Sequence, residues 1–219
     1  MSTSPLQRRA LEPFRGAHLH RLVGKTFIAA PIGLLLAWVV QKGIWKPNFG
    51  LPWVVDWTAW TVSHLLYAGA IVLFAVVALE LYRMVARHST FARNFALVAL
   101  GITVASLVAF LCQVLLDLTV SFGAENRSSM PTGFADLRDR YPVIIDLVQG
   151  PLAMVWLVGI LALAILATIT HAVRWHETAL LTIGALLLLP QSSLLGTVGG
   201  LCVVLALAPI GRRMIAAAR

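Results

Sequence analysis

Charged residues are scarce in this 219-residue sequence: they make up 12% of it, whereas hydrophobic residues make up 59%. A water-soluble domain carries roughly 25% charged and about 45–50% apolar residues. Because so few charges cannot cover a water-facing surface, the composition excludes a soluble enzyme, a secreted disulfide scaffold and a disordered chain. It predicts an all-α integral membrane protein, built as a polytopic bundle of transmembrane helices.

The sequence also lacks the motifs that indicate a particular chemistry. Its two cysteines, Cys112 and Cys202, lie in apolar runs without CxxC or CxxCH spacing. No Ser-His-Asp order, HExxH pair or DFG-like element occurs, and no Lys-Ser/Thr follows the glycines of the GTVGG run as in a P-loop. The chain is therefore expected to be a non-enzyme rather than an enzyme, and no cofactor is predicted for it.

The apolar stretches predict the membrane spans, because a crossing helix needs roughly 20 mainly apolar residues. Four stretches correspond to single helices, at about 22–40, 60–81, 96–120 and 143–169. A fifth, 179–210, would extend about 48 Å as one helix, well beyond a hydrocarbon core of roughly 30 Å. Because it contains the polar turn Pro190-Gln191-Ser192-Ser193, it is predicted either as a hairpin of two short helices, 179–190 and 194–210, or as one broken helix.

The basic residues favour six spans over five. With six spans, 12 of the 17 Lys and Arg residues fall on one side and five on the other, whereas five spans divide them nine against eight. Cytoplasmic segments carry the excess of Lys and Arg. The basic N-terminal segment (1–21) and the basic tail (211–219) are therefore both predicted to be cytoplasmic, in a plasma or inner membrane. The net charge of +8 indicates contact with anionic lipid at that face, and not with nucleic acid.

A few polar residues are predicted to lie at membrane depth, where ionisable groups cost several kcal/mol and are candidate functional groups. Under the six-span topology, His64, Asp117 and Asp146 each lie about one turn below the outer boundary. Gln113 precedes Asp117 by four residues and Gln149 follows Asp146 by three, so each amide shares a helix face with a carboxylate. These five residues are the candidate polar cluster of the sequence.

Three interpretations of this cluster remain open. Its members pair with one another, with exterior loops or with headgroups; or they handle a proton or a small polar ligand, because a histidine beside carboxylates titrates near neutrality. In the third, His64, Asp117 and Asp146 bind a metal, although no single helix has metal-ligand spacing. A b-type haem would need two facing imidazoles, and the nearest pair, His88 and His171, lies beside arginines at helix ends.

Two other features complete the prediction. The tryptophan-rich connection 41–59 is expected to lie along the outer interface, or to form a platform for an aromatic ligand. Glu80 is expected to pair with Arg83 one turn further on, the alternative being a proton-relay carboxylate.

The last helix has a face of small residues at Gly196, Gly199 and Gly200, and such faces allow close helix contact in lipid. This face is expected to pack within the chain or to contact another integral membrane protein. The final hairpin as a whole is expected to contact such a partner, or to fold back against the third and fourth helices. The predicted function is that of a non-catalytic accessory or structural subunit of a larger membrane complex. The alternative is a small redox, proton- or ligand-handling membrane protein, a transporter included, that uses the polar cluster.

Overall fold

The computed structural model describes residues 5–45, 52–190 and 192–218. These residues form helices and short connections, and none of them lies in a strand. The α-helices are α1 (Pro5–Val40), α2 (Trp53–Ala86), α3 (Thr90–Gly123), α4 (Met130–Arg140), α5 (Pro142–Gln149), α6 (Trp156–Ile169), α7 (Trp175–Leu188) and α8 (Ser193–Ala217). A π-helical turn, Gln41–Trp45, follows α1, and the 3-10 turns Arg127–Ser129 and Pro151–Met154 precede α4 and α6.

Five helical segments of the described chain are long and apolar enough to cross a membrane. They are Gly16–Gly43, Trp53–Ala86, Thr90–Gly123, Pro142–Ile169 and Ser193–Ala217. The predicted all-α, membrane-embedded architecture is thereby confirmed. The remaining apolar helix, α7, has 14 residues, or about 21 Å at 1.5 Å per residue, which is shorter than a hydrocarbon core of roughly 30 Å.

The helices extend beyond the apolar stretches that predict them. α2 and α3 have 34 residues each, and α1 begins at Pro5, within the basic N-terminal segment. Hydropathy detects only the part of a helix that lies in hydrocarbon, whereas the hydrogen-bonded backbone continues through the polar flanks. In the predicted interfacial connection 41–59, residues 53–59 therefore belong to α2. Residues 46–51 of that connection lie outside the described residues, as do Gln191 of the predicted turn and Arg219 of the tail.

Hydrogen bonds between distant residues define the two ends of the bundle. The Arg21 guanidinium donates from Nε to the Ala218 carbonyl (3.0 Å), so the N-terminal part of α1 and the end of α8 lie together, at what is called here the near end. The Trp38 indole donates to the Ser193 carbonyl (3.4 Å), and the Trp60 indole donates to the Asp117 carbonyl (3.3 Å), at the opposite or far end. α1 and α8 are therefore antiparallel, as are α2 and α3.

α7 and α8 form a hairpin rather than one broken helix. At the near end, the Arg213 guanidinium donates to both carboxylate oxygens of Glu177, with Nη2 2.7 Å from Oε2. Midway along the pair, a Cβ added to Gly184 would lie 2.8 Å from the carbonyl oxygen of Gly199, so the two backbones are in direct contact. Glycine is needed here because any side chain would separate the helices.

The small-residue face of the last helix packs within the chain, one of the two expectations for it. Gly196 packs against the Trp38 ring, and a Cβ added to Gly200 would lie 2.8 Å from Cδ1 of Leu35, so both contact α1. Gly199 contacts Gly184 and Leu187 of α7. The expectation that the hairpin would fold against the third and fourth helices holds in part: α7 packs on α6 of the fourth spanning segment, where the Thr178 hydroxyl lies 2.6 Å from that of Thr168. The α8 glycines instead lie on the faces toward α1 and α7.

Candidate functional site

His64 is held in a fixed orientation on α2, near the far end. The residue is 1% exposed, and its Nδ1 lies 2.7 Å from the carbonyl oxygen of Trp60, one turn earlier. A carbonyl oxygen only accepts hydrogen bonds, so Nδ1 carries the hydrogen and donates it. The other ring nitrogen, Nε2, lies 3.3 Å from Oδ2 of Asp117 on α3.

A hydrogen bond between His64 and Asp117 uses one proton. An unprotonated Nε2 and an ionised carboxylate both present lone pairs, which repel at hydrogen-bonding distance, whereas a proton on either atom creates a hydrogen bond. A hydrogen-bonded pair is therefore either an imidazolium with a carboxylate or a neutral imidazole with a carboxylic acid, and both forms have no net charge.

Trp60 fixes both members of the pair. Its carbonyl oxygen accepts from His64 Nδ1, and its indole Nε1 donates to the backbone carbonyl of Asp117 (3.3 Å). The Trp60 and His64 rings also lie against each other, with centroids 4.1 Å apart. The relative position of α2 and α3 at this level is therefore tied to the geometry of the pair.

His64 and Asp117 line a cavity of about 140 Å³ between α1, α2, α3, α6 and α7. Its other polar lining residues are Gln41, Lys42, Tyr67 and Gln113. The Tyr67 hydroxyl donates to Oε1 of Gln41 (3.1 Å), and the Lys42 ammonium lies 5.0 Å from the centroid of the Trp38 ring. The cavity thus combines the His64–Asp117 pair and two amides with a cation beside an aromatic ring.

A break in the fourth spanning segment lies beside the cavity. Between α5 and α6 the backbone leaves the α-helix, and the hydroxyl of Ser106 on α3 donates to the Leu152 carbonyl and accepts from the Trp156 backbone N–H (2.7 Å). Non-helical backbone at membrane depth is tolerated where protein groups satisfy it in this way. Trp156 lines the cavity at 3% exposure, and its indole N–H is buried without a hydrogen-bond partner among the described residues.

Known proteins give no indication of what this site does. Comparison with protein-family models, with curated proteins and with solved structures found no match. The chemistry of the site is therefore inferred from its own residues.

The structure brings together three of the five residues of the predicted polar cluster. Gln113 lines the cavity with His64 and Asp117. Asp146 is not part of this group: its side chain is 66% exposed and forms an ion pair with Arg138 of α4 (3.2 Å). α5 buries Ile145 and Val148, which directs Asp146 away from the bundle, and Gln149 ends α5 outside the cavity lining.

The candidate metal and haem ligands do not assemble. Because Asp146 faces outward, it does not join His64 and Asp117, and no group of three His, Cys, Asp or Glu side chains suited to a metal occurs among the described residues. His88 and His171 are both exposed, and His88 bonds through Nδ1 to the Met84 carbonyl of its own helix (3.1 Å).

The expected ion pair of Glu80 with Arg83 is present, with Nη1 3.4 Å from Oε2.

Sequence analysis missed three residues of the site. Lys42 was assigned to an exterior connection, yet the π-helical turn after α1 brings it to the cavity. Tyr67 follows His64 by three residues and therefore shares its helix face, a spacing that could have identified it. Trp156 lies in an apolar run, and no signal in the sequence distinguishes it from a core residue.

Proposed function

We propose that this chain is an integral membrane protein that binds a small polar ligand and holds a proton in its far-end cavity. The observation that carries the proposal is the hydrogen bond between His64 and Asp117 on the wall of a cavity inside an apolar bundle. This is the proton- or ligand-handling alternative of the sequence prediction.

Stability alone gives a poor account of the pair. An ionisable side chain inside a membrane helix costs free energy, up to about 2.5–3.5 kcal/mol for an aspartate at the helix centre on insertion scales. A buried ion pair gains little over apolar residues of similar volume, and a cavity beside it forfeits packing energy. Groups that cost stability in this way concentrate at functional sites.

We further propose a topology of six crossing segments, with the near end in the cytoplasm of a plasma or inner membrane. The bond between Arg21 and Ala218 supports termini on one side. Basic residues of the near end, at Arg21, Arg83, Arg87, Arg93, Arg174, Arg212 and Arg213, suit the cytoplasmic face and its anionic lipid. In this topology the short α7 crosses the membrane as the first helix of the hairpin that it forms with α8. The cavity then lies toward the outer face.

Reporter fusions test this topology in a bacterial inner membrane. Green fluorescent protein fused after Arg219 is expected to fluoresce, and alkaline phosphatase at that position is expected to be inactive. The matched fusion after Asn126, between α3 and α4, is expected to give the opposite pattern. An active phosphatase after Arg219 would contradict the six-segment topology.

Nitrogen NMR of histidine-labelled protein in nanodiscs tests the proton of the pair. In the wild type, the His64 Nε2 signal is expected to show a protonated or proton-sharing nitrogen at neutral pH. In Asp117→Asn, the fixed Nδ1–H leaves Nε2 as an acceptor for the amide, so its signal is expected to move to the unprotonated range.

Two internal references and one control variant accompany this measurement. The signals of the exposed His88 and His176 are expected to stay unchanged, and Asp136→Asn, which removes an exposed carboxylate of α4, is expected to leave His64 unaffected. An unprotonated Nε2 in the wild type, unchanged by Asp117→Asn, would refute the proposed proton.

The accessory-subunit prediction has no specific observation in its favour. It was based on the lack of a catalytic motif, the absence of soluble domains, the small size and the glycine-rich last helix, of which Gly196 and Gly200 pack against α1 of the same chain. It stays a prediction, and we propose no second function.

A further inference from the structure

We infer that the near end of the bundle binds one anionic phospholipid, with an acyl chain in a groove between α3 and α6 and the phosphate at a pocket where α6 connects to α7. This site is separate from the far-end cavity and shares no residue with it. Three features support the site: the width of the groove, the cationic side chain at its near end and the tryptophan beside that side chain.

The groove between α3 and α6 has the width of a hydrocarbon chain. All of its lining residues are apolar, and along α3 it runs from Phe95 to Ile102, about 10 Å at 1.5 Å per residue. Its volume of 370 Å³ therefore corresponds to a passage roughly 6 Å across, whereas a helix with its side chains is about 10–12 Å wide. At the floor, a Cβ added to Gly159 of α6 would lie 3.0 Å from the Ala99 carbonyl oxygen of α3. The groove is thus too narrow for a helix of another protein and suits one acyl chain.

The groove and the pocket lie next to each other on one face of α6. Ile165 lines the groove, and Thr168, three residues later and on the same face, lines the pocket. α6 ends at Ile169, at the near end of the bundle. An acyl chain in the groove would therefore extend from the pocket toward the middle of the membrane, as the chains of one leaflet do.

The pocket offers a positive charge and hydrogen-bond donors. His171, Arg174 and His176 line it, and all three are exposed. Glu177 is the nearest carboxylate along the chain, and both of its oxygens accept from Arg213. In the described part of the chain, Arg174 takes part in no ion pair. Arginine forms charge-assisted, often bidentate hydrogen bonds with phosphate, so a phosphate group complements this pocket.

Trp175 places the pocket at the level of the lipid headgroups. This residue lines the pocket, begins α7 and is 74% exposed. Tryptophan is enriched at the membrane–water interface, where its apolar ring and its N–H donor are both accommodated. A phosphate held at this level, with an apolar groove leading away from it into the membrane, indicates a phospholipid rather than a free phosphate ion.

Native mass spectrometry of the full chain, released from detergent, tests the inference because it counts the lipids that each molecule binds. The first phosphatidylglycerol is expected to bind about fivefold more tightly than phosphatidylcholine, the factor for one basic residue at a membrane surface. Arg174→Gln is expected to remove most of this preference. The matched control Arg212→Gln, which changes an exposed arginine of α8 at the same end, is expected to retain it. Glycerol phosphate, which has no acyl chain, is expected not to displace the lipid.

A second pair of variants tests the groove. Ala162→Leu adds bulk to the groove lining and is expected to weaken both lipids several-fold. Ala105→Leu adds the same atoms at an exposed position of α3 outside the lining and is expected to change neither.

A further variant separates the loss of lipid from a loss of folding. His171 has a φ of 59°, a conformation that glycine adopts without strain. His171→Gly is therefore expected to keep the thermal stability of the lipid-free protein while it weakens phosphatidylglycerol binding.

Three results would overturn the inference. Equal binding of the two lipids by the wild type would exclude selection of an anionic headgroup, as would a preference that persists in Arg174→Gln. Displacement of the lipid by glycerol phosphate would indicate a site for a free phosphate. Phosphatidylglycerol binding that Ala162→Leu leaves unchanged would show that no acyl chain occupies the groove.

Discussion

Glu177→Gln is expected to lower the free energy of unfolding by about 2–4 kcal/mol, because breaking a buried ion pair typically costs about 3–5 kcal/mol and Arg213 is partly screened by solvent. Glu177 is 1% exposed and accepts from both terminal nitrogens of Arg213 and from the Arg174 backbone N–H (3.0 Å), whereas the Arg213 side chain is 37% exposed. Equilibrium unfolding in one detergent measures the loss. The control is Glu125→Gln, which removes an exposed carboxylate and is expected to have little effect.

A double-mutant cycle attributes this loss to the pair. Glu177→Gln combined with Arg213→Gln is expected to cost less than the two single losses together, by about 1 kcal/mol or more, because residues in one ion pair are not independent. Strictly additive losses would show that Glu177 stabilises the hairpin through the N-terminus of α7 alone.

Adding one methyl group at Gly24 is expected to destabilise the chain by about 1–3 kcal/mol, the usual cost of forcing an extra carbon into a packed contact. A Cβ on Gly24 of α1 would lie 2.8 Å from the Gly211 carbonyl oxygen and 2.8 Å from Cγ1 of Ile215, both on α8. Gly24→Ala is to be compared with Gly69→Ala on α2, where a Cβ meets nothing within 4 Å. The same unfolding assay serves for both variants.

The two glycines differ only in what lies opposite them, so the comparison is direct. Alanine has the higher helix propensity by about 1 kcal/mol, and Gly69→Ala is therefore expected to be neutral or stabilising. Equal stability of the two alanine variants would mean that α1 and α8 separate without cost, contrary to the close packing described for them.

The depth of a polar residue in the membrane could be predicted from the sequence, but the direction in which its side chain faces could not. Hydropathy and charge place His64 and Asp117 at similar depth, and Gln113 follows because it lies one turn from Asp117. Asp146 has a similar predicted depth. However, the break after α5 uncouples the rotation of this short helix from that of α6, and α5 buries the face that carries Ile145. Such rotation depends on contacts between distant residues, which no local spacing encodes.

Contacts with residues distant in the sequence also determine where a helix begins. The apolar pattern starts the fifth predicted segment at residue 179, whereas α7 begins at Trp175. The polar Glu177 belongs to the helix because Arg213, 36 residues later, pairs with it. A polar residue with a buried partner looks the same in the sequence as one that faces water.

Because Trp60 bonds to both His64 and Asp117, the part of the cavity lining beside this pair is expected to tolerate fewer substitutions than the rest of the lining. Sliding α2 along α3 by a turn would remove the indole bond to the Asp117 carbonyl and separate His64 from its carboxylate at the same time. Trp156 lines the same cavity, and its indole N–H bonds to neither member of the pair. If the cavity binds a ligand as proposed, a shift in ligand preference, whether by natural drift or by design, is thus expected to begin at Trp156 and to reach the His64 side last.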